Sequence, residues 1–200
     1  MNTPGLLLFT VFVLAPYGLE QLAYIRFTSN PKAVEHRRTA KVIHGYGLAY
    51  LWDVAHFSVL VGAGFRFIGT ETPFRWWGWA GCLLFLSGVA LRIWALRELG
   101  VSYEARLVIY PEHRIVTSGP YRLLRHPLHW GTTAQILGLA LITPVWLGLP
   151  ATLTAILLTL YFNRLEEQIL LEYLGPKYEE YYARTWDMID LIYRKRSPQP

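Results

Sequence analysis

Residues 128–162 read LHWGTTAQILGLALITPVWLGLPATLTAILLTLYF. The stretch contains no Asp, Glu, Lys or Arg and exceeds the roughly 20 apolar residues of one bilayer crossing. Thr143-Pro144 and Gly148-Leu149-Pro150 are turn signals inside it. The stretch therefore reads as a helical hairpin of two short spans, 128–145 and 147–163. Three more apolar runs lie upstream. Leu6 to Ile25 is broken only by Pro16, Glu20 and Gln21, giving a span over 6–25. Tyr46 to Phe65 carries Asp53 and His56, giving 46–65. Phe74 to Leu91, rich in Trp at its start, gives a span over 74–95. The expected fold is all-α: one membrane domain over 1–200, built as a multi-pass helical bundle of about five transmembrane helices.

Composition agrees. Hydrophobic residues make up 53% and charged residues 16%, against about a quarter charged in ordinary soluble domains. Disorder is excluded by the amount of apolar material. The single cysteine, Cys82, excludes a disulfide framework and a Cys-based metal finger. The head Met1-Asn2-Thr3-Pro4-Gly5 has no basic residue, and no small-x-small cleavage site follows, so the first run is read as a retained span rather than a cleaved signal.

Charge orients the bundle. Of the 19 Lys and Arg, only Arg66 and Arg75 fall between spans two and three; none falls in the fourth turn. All others lie in the two alternate loops and the tail, which ends in Arg194, Lys195 and Arg196. Lys and Arg favour the cytoplasmic side, so the N-terminus is expected outside and the C-terminus inside. The net charge of +5 follows from this asymmetry, and no nucleic-acid partner is expected. Trp76, Trp77, Trp79, Trp146, Tyr161 and Phe162 sit near span ends, as an interfacial belt does. Arg92 is expected to snorkel from the end of span three, Glu20 to be packed or water-facing, and Asp53 with His56 to form a satisfied buried pair.

Two polar regions flank the hairpin on the cytoplasmic side, within 99–131 and 161–193, and a short hairpin brings them together. In the first, Ser118 or Gly119 caps a short helix with Pro120 at its first position. Pro127 breaks the helix at His126, leaving the first amides of span four free to face an anion. In the second, Glu166 and Glu167 stand at the inner end of span five. Their helix runs to Leu174 and stops at Gly175-Pro176. A further helix from about Lys177 to Arg184 is expected to lie over the cytoplasmic mouth as a lid.

The stretches GPYRLLRHPLHWG, preceded by HRIVTS, and EEQILLEYLGPKYEEYYARTW downstream resemble the isoprenylcysteine carboxyl methyltransferase family of integral membrane enzymes. The resemblance covers roughly Leu99 to Tyr193. It implies S-adenosyl-L-methionine as methyl donor, with S-adenosyl-L-homocysteine as product. It further implies a cofactor site lined by His113, Arg114, Ile115, Val116, Tyr121, His126, Pro127, Leu128 and His129, with Glu166 as the cofactor-contacting carboxylate. Two positions depart from the family pattern. His129 stands where the family usually has Tyr, and Phe162 where it often has a substrate-contacting Arg; the nearest basic residue is Arg164.

Methyl transfer from a sulfonium asks the protein for proximity, alignment and dryness. A carboxylate acceptor needs no base, and Arg125 or Arg164 is the candidate to orient it. A thiol or amine acceptor needs a base, and His129 or Glu167 is the candidate. The expected acceptor is lipophilic, such as a prenylated cysteine carboxylate. Thiol S-methylation, phospholipid N-methylation and a non-catalytic scaffold or transporter component remain open alternatives. The expected membrane is the cell inner membrane in a prokaryote or the endoplasmic reticulum in a eukaryote. His126 and His129 alone do not make a metal site, and no metal is expected. No G-x-G-x-x-G follows a strand, and GAGF at 62–65 lies within an apolar run, so the common soluble methyltransferase fold is set aside.

Overall fold

The computed structural model describes residues 3–44, 47–69, 76–104, 107–111, 113–143 and 145–191. Tyr46, Phe74, Arg75, Arg106, Glu112, Pro144, Tyr193 and the basic tail Arg194, Lys195 and Arg196 lie outside these residues, as does the side chain of Trp146. The chain is predominantly helical: α1 (Thr3–Phe9), α2 (Ala15–Thr28), α3 (Pro31–Arg38), α4 (Gly47–Gly69), α5 (Trp76–Leu99), α6 (Pro127–Ile142), α7 (Val145–Leu174) and α8 (Pro176–Arg184). Two stretches, Pro4–Thr28 and Trp76–Ser102, are long and apolar enough to cross a membrane by length and composition.

The first rod joins α1 to α2 through a π-helical turn, Thr10–Leu14, in which the Ala15 N–H donates to the Thr10 carbonyl. Pro16 explains it. Proline offers no N–H to the carbonyl four residues back and its ring crowds that carbonyl, so a wider turn ahead of it removes the conflict.

α5 and α6 form the tightest helix pair. Gly81 and Gly88 on α5 meet Gly138 and Gly131 on α6. A Cβ at Gly88 would stand 2.5 Å from the Gly131 carbonyl, and one at Gly138 2.6 Å from the Gly81 carbonyl. Backbone touches backbone where side chains are absent, the approach that small residues permit between apolar helices. Phe85, Leu139 and Ile142 pack with Val59, Phe67, Phe9 and Val13 into the main apolar cluster.

Four expectations are corrected. The chain is not wholly helical: β1 (Lys41–His44) pairs antiparallel with β2 (Leu107–Ile109). This pairing joins two loops across more than 60 positions, where no local pattern announces it. The hairpin turns at Thr143 and α7 begins at Val145, so Gly148-Leu149-Pro150 is helical. Pro150 sits in the second turn, where its missing N–H removes a single helical bond. The segment after Ser118 is a 3₁₀ turn, Gly119–Arg122, and the Ser118 hydroxyl donates to Glu98 (2.5 Å) instead of capping it. Arg92 does not snorkel outward. It turns inward to pair with the buried Glu20, reaching also the Thr132 hydroxyl and the Leu128 carbonyl. Glu20 also accepts from Gln135.

Gly88→Val is expected to cost about 3 kcal/mol, the upper end for overpacking, read as a lowered unfolding temperature in detergent. Gly18→Ala, where a Cβ meets nothing within 4 Å, should leave it unchanged or raised.

Candidate functional site

The site begins with a closure. Arg125 precedes α6, and its side chain is fully buried. Its Nε donates to Glu167 on α7. One terminal nitrogen donates to the Thr185 carbonyl (2.7 Å) and the Tyr182 carbonyl (3.3 Å) at the end of α8. The other donates to Asp190 Oδ1 (2.8 Å) in the 3₁₀ turn Met188–Leu191. The guanidinium also lies 4.0 Å from the centre of the Tyr182 ring. Backbone bonds reinforce it: Arg125 N–H to the Trp186 carbonyl (2.9 Å) and Trp186 N–H to the Leu123 carbonyl (2.8 Å). The Tyr181 hydroxyl donates to the Tyr121 carbonyl (2.8 Å), and Asn163 donates to Asp187 (2.7 Å). The two polar regions flanking the hairpin thus fold onto each other.

Between them and the upper bundle lies a cavity of about 1030 Å³. One wall carries His113, Arg114, Ile115, Val116, Tyr121, His126, Leu128, His129 and Glu166. The lining also carries Tyr17, Glu20, Asp53, His56 and Arg92. His36 and Tyr110 line it with their rings stacked 4.1 Å apart. Tyr178 and Tyr181 of α8 also line it. The Tyr178 hydroxyl is buried and forms no hydrogen bond among the described residues.

The charged centre of the first wall is a triangle. His126 Nδ1 lies 3.4 Å from Glu166 Oε2, His126 Nε2 3.4 Å from Glu167 Oε1, and His129 Nε2 3.9 Å from Glu166 Oε2. The two imidazoles stack at 5.5 Å. Burial opposes charge on His126, but the Glu166 carboxylate, followed by Glu167 and Asp187, outweighs it and raises the imidazole to about 10. Burial likewise pushes the Glu166 carboxyl up, and the charge on His126, then His129 and His113, brings it down to about 2. Burial holds His113 below its ordinary value, against the pull of Glu166. Burial, then the nearby carboxylates Glu167 and Glu166, pushes the Tyr178 hydroxyl well up.

Ligand atoms of His126, His129 and Glu166 lie within 4.8 Å of one another. The sequence pair thus gains a third converging group from α7, a donor set of the kind that holds a divalent cation.

The remaining expected site residues divide. Pro127 is buried at the first position of α6 and does not line the cavity. Glu167 is buried against Arg125 and does not line it. Arg125 reaches the lining with every nitrogen engaged. Arg164 is exposed and lies outside the lining. Asp53 is exposed rather than buried, while His56 is buried, so the satisfied buried pair is not formed. His36, Tyr110, Tyr17 and Arg92 were not anticipated as lining. The i, i+3 spacing of Tyr17 and Glu20 is the one sequence signal that pointed there.

Two measurements test this geometry. Arg125→Met strands Glu167 and Asp190 without their cation and should cost about 3–5 kcal/mol, seen as a lowered unfolding temperature and early proteolysis after Leu174. The second concerns protonation. His126, raised above its ordinary 6.5, adds stability fully present below 6.5 and lost as pH climbs through about 10. Glu166, lowered from its ordinary 4.5, adds stability present above 4.5 and lost as pH falls through about 2. Imidazole ¹⁵N resonances should therefore show His126 doubly protonated and His113 neutral at pH 8. Glu166→Gln should bring the His126 titration down toward the ordinary range.

Comparison with known proteins gives this arrangement its setting. The family model described as Phospholipid methyltransferase matches residues 76–177, from the start of α5 into the first turn of α8. Probable protein-S-isoprenylcysteine O-methyltransferases of Oryza sativa subsp. indica and subsp. japonica are each 32% identical over 121 residues, 57% of this chain and 61% of theirs. An uncharacterized protein of Bacillus subtilis, YpbQ, is 29% identical over 105 residues, 52% of this chain and 61% of its own. The chain spans about three fifths of the length of each of these relatives. The matches bear out the resemblance to isoprenylcysteine carboxyl methyltransferases, and the extent of the family match, just over half of the 200 residues and containing the Arg125 closure up to α8, makes this chain a member of the phospholipid methyltransferase family.

Proposed function

We propose that the protein is an integral membrane methyltransferase that binds S-adenosyl-L-methionine between residues 113–129 and the α7–α8 segment and methylates a lipophilic acceptor. When bound, the cofactor supplies an electrophilic methyl group on a sulfonium and leaves as S-adenosyl-L-homocysteine. The observation that carries this reading is the His126–Glu166 ion pair in the wall of a cavity of about 1030 Å³, within a family member.

The residues fit such a ligand. Glu166 is a carboxylate kept ionised and facing the cavity, suited to a ribose hydroxyl or an α-amino group. Tyr121 and the stacked His36 and Tyr110 rings offer aromatic faces to a base or a cation. The Tyr178 hydroxyl is a buried donor awaiting an acceptor, and a ligand carboxylate would satisfy it. His113 to Val116 and Leu128 complete the wall. We assign the His126–His129–Glu166 group to this wall rather than to a metal, because Glu166 is balanced by the charge on His126.

The rice relatives are named for methylation of isoprenylcysteine and the family for phospholipids; both acceptors are lipophilic. We assign Arg125 to holding the site closed, since its nitrogens are engaged, and Glu167 to anchoring Arg125. His129 faces the cavity and is kept as an acceptor-side group. Arg164 is kept outside the chemistry.

The membrane arrangement proposed is five spans, formed by α1–α2, α4, α5, α6 and the first part of α7. The N-terminus lies outside, the site is cytoplasmic and α8 is its lid. Outward-facing Leu19, Leu22, Phe65, Leu83, Leu153 and Leu157 support lipid contact on every span but α6. Leu137 and Leu141 supply it there.

Isothermal titration of S-adenosyl-L-homocysteine into the detergent-purified protein should show binding. Glu166→Ala should weaken it about 10-fold or more, some 1.4 kcal/mol, with Arg164→Ala unchanged. No binding to the wild type would leave the scaffold reading in its place.

A further inference from the structure

We propose that Asp53 and His56 on α4 form the acceptor-side wall of the cavity, where His56 takes the proton from a heteroatom–hydrogen nucleophile of a lipophilic acceptor and Asp53 keeps that wall polar. The proposal rests on the cofactor assignment above and names the chemistry of the other half of the same cavity.

Asp53 and His56 are three residues apart, so both lie on one face of α4, and both line the cavity. Asp53 is the one acidic residue of α4 and has no ion-pair partner among the described residues. An ionisable group so placed is costly unless it is used. The cation that acts on it, Arg92, is already engaged. Arg92 is held by Glu20, Thr132 and the Leu128 carbonyl, and Arg125 by Glu167 and Asp190. A carboxylate acceptor brought to Asp53 would meet a carboxylate and, in Arg92, a guanidinium already engaged; Arg114, which also lines the cavity, belongs to the segment assigned to the cofactor. A thiol, hydroxyl or amine would meet what it needs, a base.

The surroundings suit an acceptor with an apolar tail. Val54 and Phe57, beside Asp53 and His56, are 64% and 62% exposed and line the cavity as well. A hydrocarbon chain on the outer face of α4 would thus lead to the polar pair. Asp53 is six residues from the helix start, about 9 Å along the axis, close to the end proposed to meet cytoplasm.

The step balances. A lone pair on the acceptor heteroatom forms the new bond to the methyl carbon. The carbon–sulfur bond breaks and its electron pair neutralises the sulfonium. The proton from the heteroatom goes to the His56 imidazole and is released from it to water.

The test uses the full chain in detergent with methyl-labelled S-adenosyl-L-methionine. Three probes are offered: a long-chain alkanethiol, a more acidic long-chain aryl thiol, and prenylcysteine, whose carboxylate needs no base. Wild-type protein should methylate both thiols. His56→Gln should lose about 100-fold in kcat with the alkanethiol, the lower end for a general base. It should lose less than 10-fold with the aryl thiol, which arrives largely ionised. Asp53→Asn should show the same ordering with smaller losses. S-adenosyl-L-homocysteine affinity should be unchanged in both; a variant that fails this check is set aside and the other decides. Methylation of prenylcysteine alone, full activity in both variants, or equal losses on the two thiols would each overturn the proposal while leaving the cofactor assignment standing. Absence of S-adenosyl-L-homocysteine binding in the wild type would instead remove the cofactor assignment.

Discussion

A guanidinium with no solvent contact is tolerable only when its nitrogens are engaged and its charge is matched. Arg125 meets that demand with groups from three places: Glu167 in α7, carbonyls at the end of α8, and Asp190 beyond it. None of these alone compensates the lost hydration. The loop entering α6, the helix leaving the bundle and the chain after α8 therefore come together as one unit. The cavity wall made by His113–His129 and Glu166 is a by-product of that demand.

A second buried pair does similar work further into the bundle. Glu20 on α2 holds Arg92 on α5, which reaches Thr132 and the Leu128 carbonyl on α6. That contact is possible because Gly88 and Gly131 let the two backbones touch one turn away. The first turn of α6 is thus held from both sides, by Arg92 above and Arg125 below. His126 and His129, on that turn, inherit a fixed orientation toward Glu166. Preorganisation of this kind spares a ligand the reorganisation that it would otherwise have to drive.

Much of this was legible in the chain. The apolar runs marked the helices. Pro127 marked the start of α6, and Gly175-Pro176 the break before α8, where Gly175 adopts φ +54°. The meeting of the two polar regions followed from the uncharged hairpin between them. What escaped had one physical cause: it depended on partners far apart in sequence. Arg92 reads as a snorkelling cation until Glu20 is seen 72 positions away across the bundle. Arg125 reads as a substrate ligand because no local pattern shows how many acceptors surround it. The β1–β2 pairing and the His36–Tyr110 stack join segments more than 60 positions apart, brought together by tertiary packing. Asp53 was singled out, but its exposure depends on the spacing between α4 and its neighbours.

α7 joins an apolar shaft to the acidic end without a break. Thirty residues make a rod of about 45 Å, against a hydrocarbon layer of roughly 30 Å. In the five-span arrangement proposed above, a crossing that began at Val145 would use about twenty residues and leave Glu166 and Glu167 just past its inner edge. Their height above the apolar wall is consequently set by covalent geometry. In that arrangement the distance along the rod from its apolar shaft to Glu166 and Glu167 would stay the same whatever the tilt.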